Sequence, residues 1–92
     1  PIYGIWGMQK NKLPDQFIKI FNKIFKRLIT VTIPNEPNAI KADKLKEIGK
    51  KYTLTNAANS IQDALRQISS KEKKTIVIFG SLYLVGEVLS KN

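Results

Sequence analysis

Apolar positions along this chain alternate between two periods. Ile2-Tyr3-Gly4-Ile5-Trp6 is an almost unbroken apolar run, as expected of a strand buried on both faces. A polar loop, Gly7 to Leu13, follows it. Pro14 suits a first helical turn, where its missing N–H costs nothing, and Asp15 favours that helix end by charge. The helix then carries Phe17, Ile18, Phe21, Ile24, Phe25 and Leu28 as an inward stripe, with Lys19, Asn22, Lys23 and Lys26 towards water. Leu28 to Ile33 reads as the second strand, with Thr30 and Thr32 able to share one face, and it stops at Pro34-Asn35-Glu36-Pro37-Asn38.

Ala42, Leu45 and Ile48 mark a second helix from Ala42 to about Lys50, ending near Gly49. Tyr52 to Thr55 reads as a brief third strand towards the sheet edge. Ser60-Ile61-Gln62-Asp63 has capping-box spacing, with Asn59 as the rival cap, and Ile61, Ala64, Leu65 and Ile68 continue a helical stripe. After a polar turn, Ser69 to Lys74, comes a β-branched and aromatic strand, Thr75 to Phe79. It passes through Gly80-Ser81 into a last helical pattern, Leu82 to about Leu89.

Strands and helices therefore alternate throughout. This predicts a Rossmann-like α/β domain in three layers, with a mostly parallel four-stranded sheet and helices on both faces. A strand order near 3-2-1-4 would set the first and fourth strands side by side in the middle of the sheet. The Gly7-Met8 loop and the Gly80-Ser81 turn would then meet at the carboxyl rim, where open α/β sheets bind ligands.

Ninety-two residues with 42% hydrophobic content are enough for one modest core. Neither cysteine nor histidine occurs, so disulfides, thiolate nucleophiles and the commonest general base and metal ligand are excluded. The lack of cysteine fits a cytoplasmic protein. No apolar run reaches the length of a membrane span. A net charge of +9 invites a nucleic-acid reading, but the lysines are dispersed over helix faces and loops. No RNP-type strand, GxxG loop or finger spacing accompanies them, so no nucleic-acid partner is expected. The chain opens with Pro1 and enters a strand at once, and it is expected to be a piece of a longer one.

The phosphate motifs are missing. There is no Gly-x-x-x-x-Gly-Lys-Ser/Thr, and Gly4-Ile5-Trp6-Gly7 does not make a dinucleotide fingerprint because Gly4 lies inside the strand. Gly80-Ser81 is the leading candidate. Two compatible readings stay open there: Ser81 caps its own helix, or its hydroxyl and the neighbouring N–H groups meet an anionic ligand. Tyr83 and Glu87 stand one helical turn apart on the same segment. Lys10 and Lys12 lie in the rim loop within reach of a phosphate. Asn35, Glu36 and Asn38 offer polar side chains at that rim without forming a recognisable constellation.

The run Gly80-Ser81-Leu82-Tyr83-Leu84-Val85-Gly86-Glu87-Val88-Leu89 resembles the closing segment of the folylpolyglutamate synthase and dihydrofolate synthase family, within the Mur ligase superfamily. Ile5-Trp6-Gly7-Met8 resembles that family's strand followed by Gly-Met. Pro34-Asn35-Glu36-Pro37-Asn38, followed by Ala42 and Leu45, resembles its next strand-to-helix passage. The resemblance implies that residues 1–92 are a partial C-terminal domain of a monomeric cytoplasmic ligase whose N-terminal and central ATPase domains lie outside this sequence.

With ATP and Mg2+, such an enzyme forms an acyl phosphate on dihydropteroate or a folate, and the amine of L-glutamate attacks it. By that resemblance Ser81, assisted by Tyr83, binds glutamate. Lys12 is retained from an Asp-Lys-Asp-like run that here reads Asn11-Lys12-Leu13. No residue of this chain is assigned a catalytic or metal-ligating role, and by itself it is expected to be inactive and to bind neither cofactor. The alternatives are a stand-alone α/β binding or interaction module and a receiver-like domain. The receiver lacks its acidic cluster and phosphoacceptor aspartate.

Overall fold

The computed structural model describes residues 1–80. The expected last helix therefore lies outside the described residues. The strands are β1 (Ile2–Gly7), β2 (Arg27–Thr30), β3 (Thr55–Ala57) and β4 (Thr75–Gly80). The helices are α1 (Pro14–Lys19), α2 (Ala42–Gly49) and α3 (Ile61–Gln67), with a 3-10 turn at Lys10–Lys12. The sheet order is β3-β2-β1-β4 and every pairing is parallel. β1 and β4 are neighbours, as expected. β4 nevertheless stands at the edge of the described sheet, not in its middle.

Alternation along the strands divides the core into two layers. Tyr3, Ile5, Ile29, Val31 and Ile33 face α3 and pack with Ile61, Ala64 and Ile68. Trp6 and Leu28 face the other way, towards Ile18 of α1 and Leu45 of α2, joined by Phe17, Phe21, Phe25 and Phe79. Trp6 is fully buried and stacks on Phe79 and on Phe17, each at a centroid distance of 6.4 Å. Gly4 makes room for this aromatic cluster. A Cβ there would lie 2.9 Å from Phe79 and 3.0 Å from both Leu28 and Phe25.

Three elements differ from the sequence expectation. The second strand is Arg27–Thr30, not Leu28 to Ile33, because its ladder pairs with β1 and β3 end at Thr30. The first helix stops at Lys19, because residues 20–24 form tight turns closed by i→i−3 hydrogen bonds and Lys23 takes a left-handed conformation (φ 66°). The helical stripe breaks there. Ile20 and Ile24 are 74% and 49% exposed, while Phe25 swings back into the core. The third strand is Thr55–Ala57, not Tyr52–Thr55. Tyr52 and Thr53 instead donate their N–H groups to Gly49 O and so prolong the end of α2. Aromatic and β-branched propensity pointed to the wrong residues, because pairing with β2 decides which ones enter the ladder. The α3 start follows expectation. Ser60 Oγ accepts from Asp63 N at 3.0 Å, and Asp63 Oδ2 accepts from Asn59 N at 3.0 Å.

Candidate functional site

The carboxyl rim is built around two glycines. Gly7 ends β1 and Gly80 ends β4, and they are partners in the ladder. α1 and α2 pack on one face of the sheet and α3 on the other, so the chain changes direction between β1 and β4. That is the topological switch point, where crevices open at the strand ends. Gly80 has φ 129°, and a Cβ on it would fall 1.6 Å from Gly7 O. The two backbones approach closely because Gly80 puts no side chain between them; a Cβ on Gly7 would instead meet Ile33 and Val31.

The loops leaving β1 and β2 are tied to each other. Ile40 N donates to Met8 O at 2.9 Å, Lys10 N donates to Asn38 O at 2.8 Å, and Gln9 and Ala39 form an antiparallel bridge. Gln9 Nε2 donates to Glu36 Oε2 at 3.1 Å, while Glu36 Oε1 accepts from Asn38 N at 3.0 Å. Glu36 and Asn38, grouped as rim residues from sequence, thus form a clasp whose partner Gln9 the sequence did not reveal. The two threonines of the β2 region both hold Ala42 at the start of α2. Thr30 Oγ1 donates to Ala42 O at 2.7 Å, and Thr32 Oγ1 accepts from Ala42 N at 2.8 Å.

Two depressions flank Thr32 and Asn59 at this rim. One, about 330 Å³, is lined by Val31, Thr32, Pro34, Asn59, Ser60, Ile61 and Gln62. The other, about 380 Å³, lies between Thr32, Lys41, Ala42, Asp43 and the Ala57–Asn59 segment. Their volumes match small-molecule sites; the first offers hydroxyls and amides, and the second adds the charged side chains of Lys41 and Asp43. Sequence reasoning missed Thr32 and Asn59. The usable signal was Thr32 two residues before Pro34, past the last ladder pair at Thr30, where a hydroxyl is free to serve another element.

Lys12 lies on the exposed 3-10 turn after β1, and among the described residues its ammonium has no ion-pair partner. Ser81 and Tyr83 lie outside the described residues. Among the described residues no three of histidine, cysteine, aspartate and glutamate gather as a metal-holding group.

Two surface ion clusters sit away from the rim glycines. Asp15 accepts from Lys51 Nζ and from Tyr52 OH, each at 2.6 Å, and these bonds hold its carboxyl below the usual aspartate range. Glu72 accepts from Tyr3 OH at 2.9 Å and faces Lys26 at 3.5 Å, which likewise lowers its pKa. A carboxyl whose pKa is depressed by folding stabilises the fold above its unfolded value, and that contribution is lost as pH falls through the folded value. Thermal midpoints should therefore fall as pH drops below about 4, near the unfolded carboxyl values. The Asp15→Asn, Glu72→Gln double variant should lose much of this acid dependence. An unchanged pH profile for the double variant would show that neither cluster contributes.

A doubly wound parallel sheet with glycines at its switch point and clefts along its carboxyl rim defines an α/β domain of the open-sheet class. The family model for the dihydrofolate synthetase C-terminal domain matches residues 21–91, and the chain belongs to that family, within the Mur ligase superfamily. The fold is similar to that of Mycobacterium tuberculosis folylpolyglutamate synthase complexed with ADP and AMPPCP. That likeness has a TM-score of 0.82 and 17% identity, and covers 98% of this chain and 23% of that one. A second structure, of the Mycobacterium tuberculosis synthase complexed with ADP, gives 0.78 at 12% identity over 98% and 23% of the two chains. Thermotoga maritima folylpolyglutamate synthase gives 0.75 at 28% identity over 98% and 20%. The chain thus spans 20% to 23% of the length of these solved relatives. Comparison with curated proteins gives no match.

Among the described residues no helix is long and apolar enough to cross a membrane.

Proposed function

We propose that residues 1–92 are part of the C-terminal domain of an ATP-dependent amide ligase that adds L-glutamate to dihydropteroate or to folates. The family match over residues 21–91 carries this reading. It is supported by the likeness to a folylpolyglutamate synthase solved with ADP and AMPPCP. ATP with Mg2+, held by domains outside this sequence, would supply the phosphoryl group that turns the substrate carboxylate into an acyl phosphate, with ADP released. This chain's part is to bind and orient. Ser81, which follows the rim residue Gly80 in sequence, meets the carboxylate of the incoming glutamate with help from Tyr83. Lys12 adds positive charge on the side where the nucleotide phosphates arrive. Such an enzyme works in the cytoplasm as a monomer.

The test is incorporation of labelled glutamate into dihydropteroate or a folate, coupled to ADP formation. The full-length protein should perform it and the 92-residue chain should not. Ser81→Ala in the full-length enzyme should raise KM for glutamate by roughly tenfold, with KM for ATP little changed, as expected for loss of one charge-assisted hydrogen bond. Glutamate incorporation by the 92-residue chain would remove the division of labour, and a full-length protein that forms no ADP with glutamate and folate would remove the ligase reading.

A further inference from the structure

Apart from the rim glycines and the two depressions beside Thr32, a third depression of about 350 Å³ lies between the start of α1 and the length of α2. It is lined by Lys10, Pro14, Ile40, Lys41, Lys44 and Ile48. Ile40 is 7% exposed, and Pro14 and Ile48 are half-buried, so the floor is apolar. The three lysines are exposed, and their methylene stems form the walls while the ammonium groups stay in water.

Among the described residues none of the three ammonium groups has an ion pair. The nearest acids in sequence are engaged elsewhere or turned aside. Asp15 is held by Lys51 and Tyr52, and Glu36 by Gln9 and Asn38. Asp43 and Glu47 occupy another stripe of α2, where Asp43 shares the depression of about 380 Å³ with Lys41, whereas Lys41, Lys44 and Ile48 recur at helical spacing on the stripe that lines the groove. Three lysines of the same charge line one apolar floor, so a negative group seated among them would be attracted by each.

We infer that this groove binds a small amphipathic anion, an alkyl or aryl carboxylate whose apolar body rests on Pro14, Ile40 and Ile48 and whose carboxylate lies among Lys10, Lys41 and Lys44. The volume suits a small molecule at the lower end of the usual range of roughly 300–1,000 Å³. Neither the apolar floor nor the lysines would select such a ligand alone. The floor admits neutral chains and the lysines admit any anion, so selectivity comes from their combination.

Decanoate below its micellar concentration is the probe, titrated into the 92-residue chain and followed by amide NMR shifts. Decanol and inorganic phosphate serve as the two half-ligands. The expected result is shifts centred on Lys10, Ile40, Lys41, Lys44 and Ile48, with decanoate bound at least roughly tenfold more tightly than either half-ligand. The Lys41→Gln, Lys44→Gln variant should lose roughly tenfold in decanoate affinity while its other amide positions stay in place. Ile48→Gln should lose decanoate but not phosphate binding. Equal binding of decanol, equal binding of phosphate, or shifts scattered over other lysines would each overturn the inference. Binding to phosphatidylserine-containing vesicles that decanoate fails to displace would also overturn it, assigning the lysines to a lipid surface.

Discussion

Gly80→Ala is expected to unfold this domain or bring it close to unfolding. The new Cβ would fall 1.6 Å from the carbonyl oxygen of Gly7, and that neighbour is backbone paired within the sheet, not a side chain able to rotate away. The φ of 129° adds strain, because no L side chain adopts it readily. Backbone strain and overpacking together should cost at least about 3 kcal/mol. For a domain of this size that is a fall of about 12 °C or more in Tm. Circular dichroism melting of the variant beside the parent chain measures it. A Tm within a few degrees of the parent would mean that β4 leaves β1 before Gly80.

Trp6 should show the second large effect, with a difference between two substitutions. It is completely buried between Phe17 and Phe79, so Trp6→Ala opens a large cavity and should cost about 3–5 kcal/mol. Among the described residues its buried Nε1 has no hydrogen-bond partner. Trp6→Phe keeps most of the aromatic packing and removes that unpaired donor, whose burial costs about 1–3 kcal/mol. The phenylalanine variant should therefore lie within about 1.5 kcal/mol of the parent in urea unfolding. Equal losses for the two variants would show that the indole N–H carries no such penalty. Trp6 is the sole tryptophan, so its fluorescence reports unfolding of the parent, and circular dichroism serves for both variants.

Much of this architecture was legible from local chemistry. The runs Ile2–Trp6 and Thr75–Phe79 are both strands, and their adjacency follows from alternating elements and right-handed crossovers. Ser60 and Asp63 announced the start of α3 because a cap is read within four residues. The errors fell where distant partners decide. Whether residues 20–24 continue α1 depends on Phe25 turning into the aromatic cluster, and whether Tyr52 or Ala57 enters the sheet depends on register with β2. The meeting of Gly7 and Gly80 was expected from topology. The clasp from Gln9 to Glu36 was not, because it joins residues 27 apart in sequence through two loops with no periodic signal. Ser81 and Tyr83 rest on family resemblance, whereas Lys12 has a described position on the rim turn.

The bridge between Gln9 and Ala39, with its flanking bonds at Met8 and Lys10, has a thermodynamic consequence for any molecule arriving at the rim. A free loop must surrender backbone freedom when a ligand orders it, at about 1–2 kcal/mol per residue. Here that freedom is already lost on folding, because each loop is the other's splint. Binding at this rim thus starts from a surface with little left to organise, and affinity there reflects contacts more than ordering.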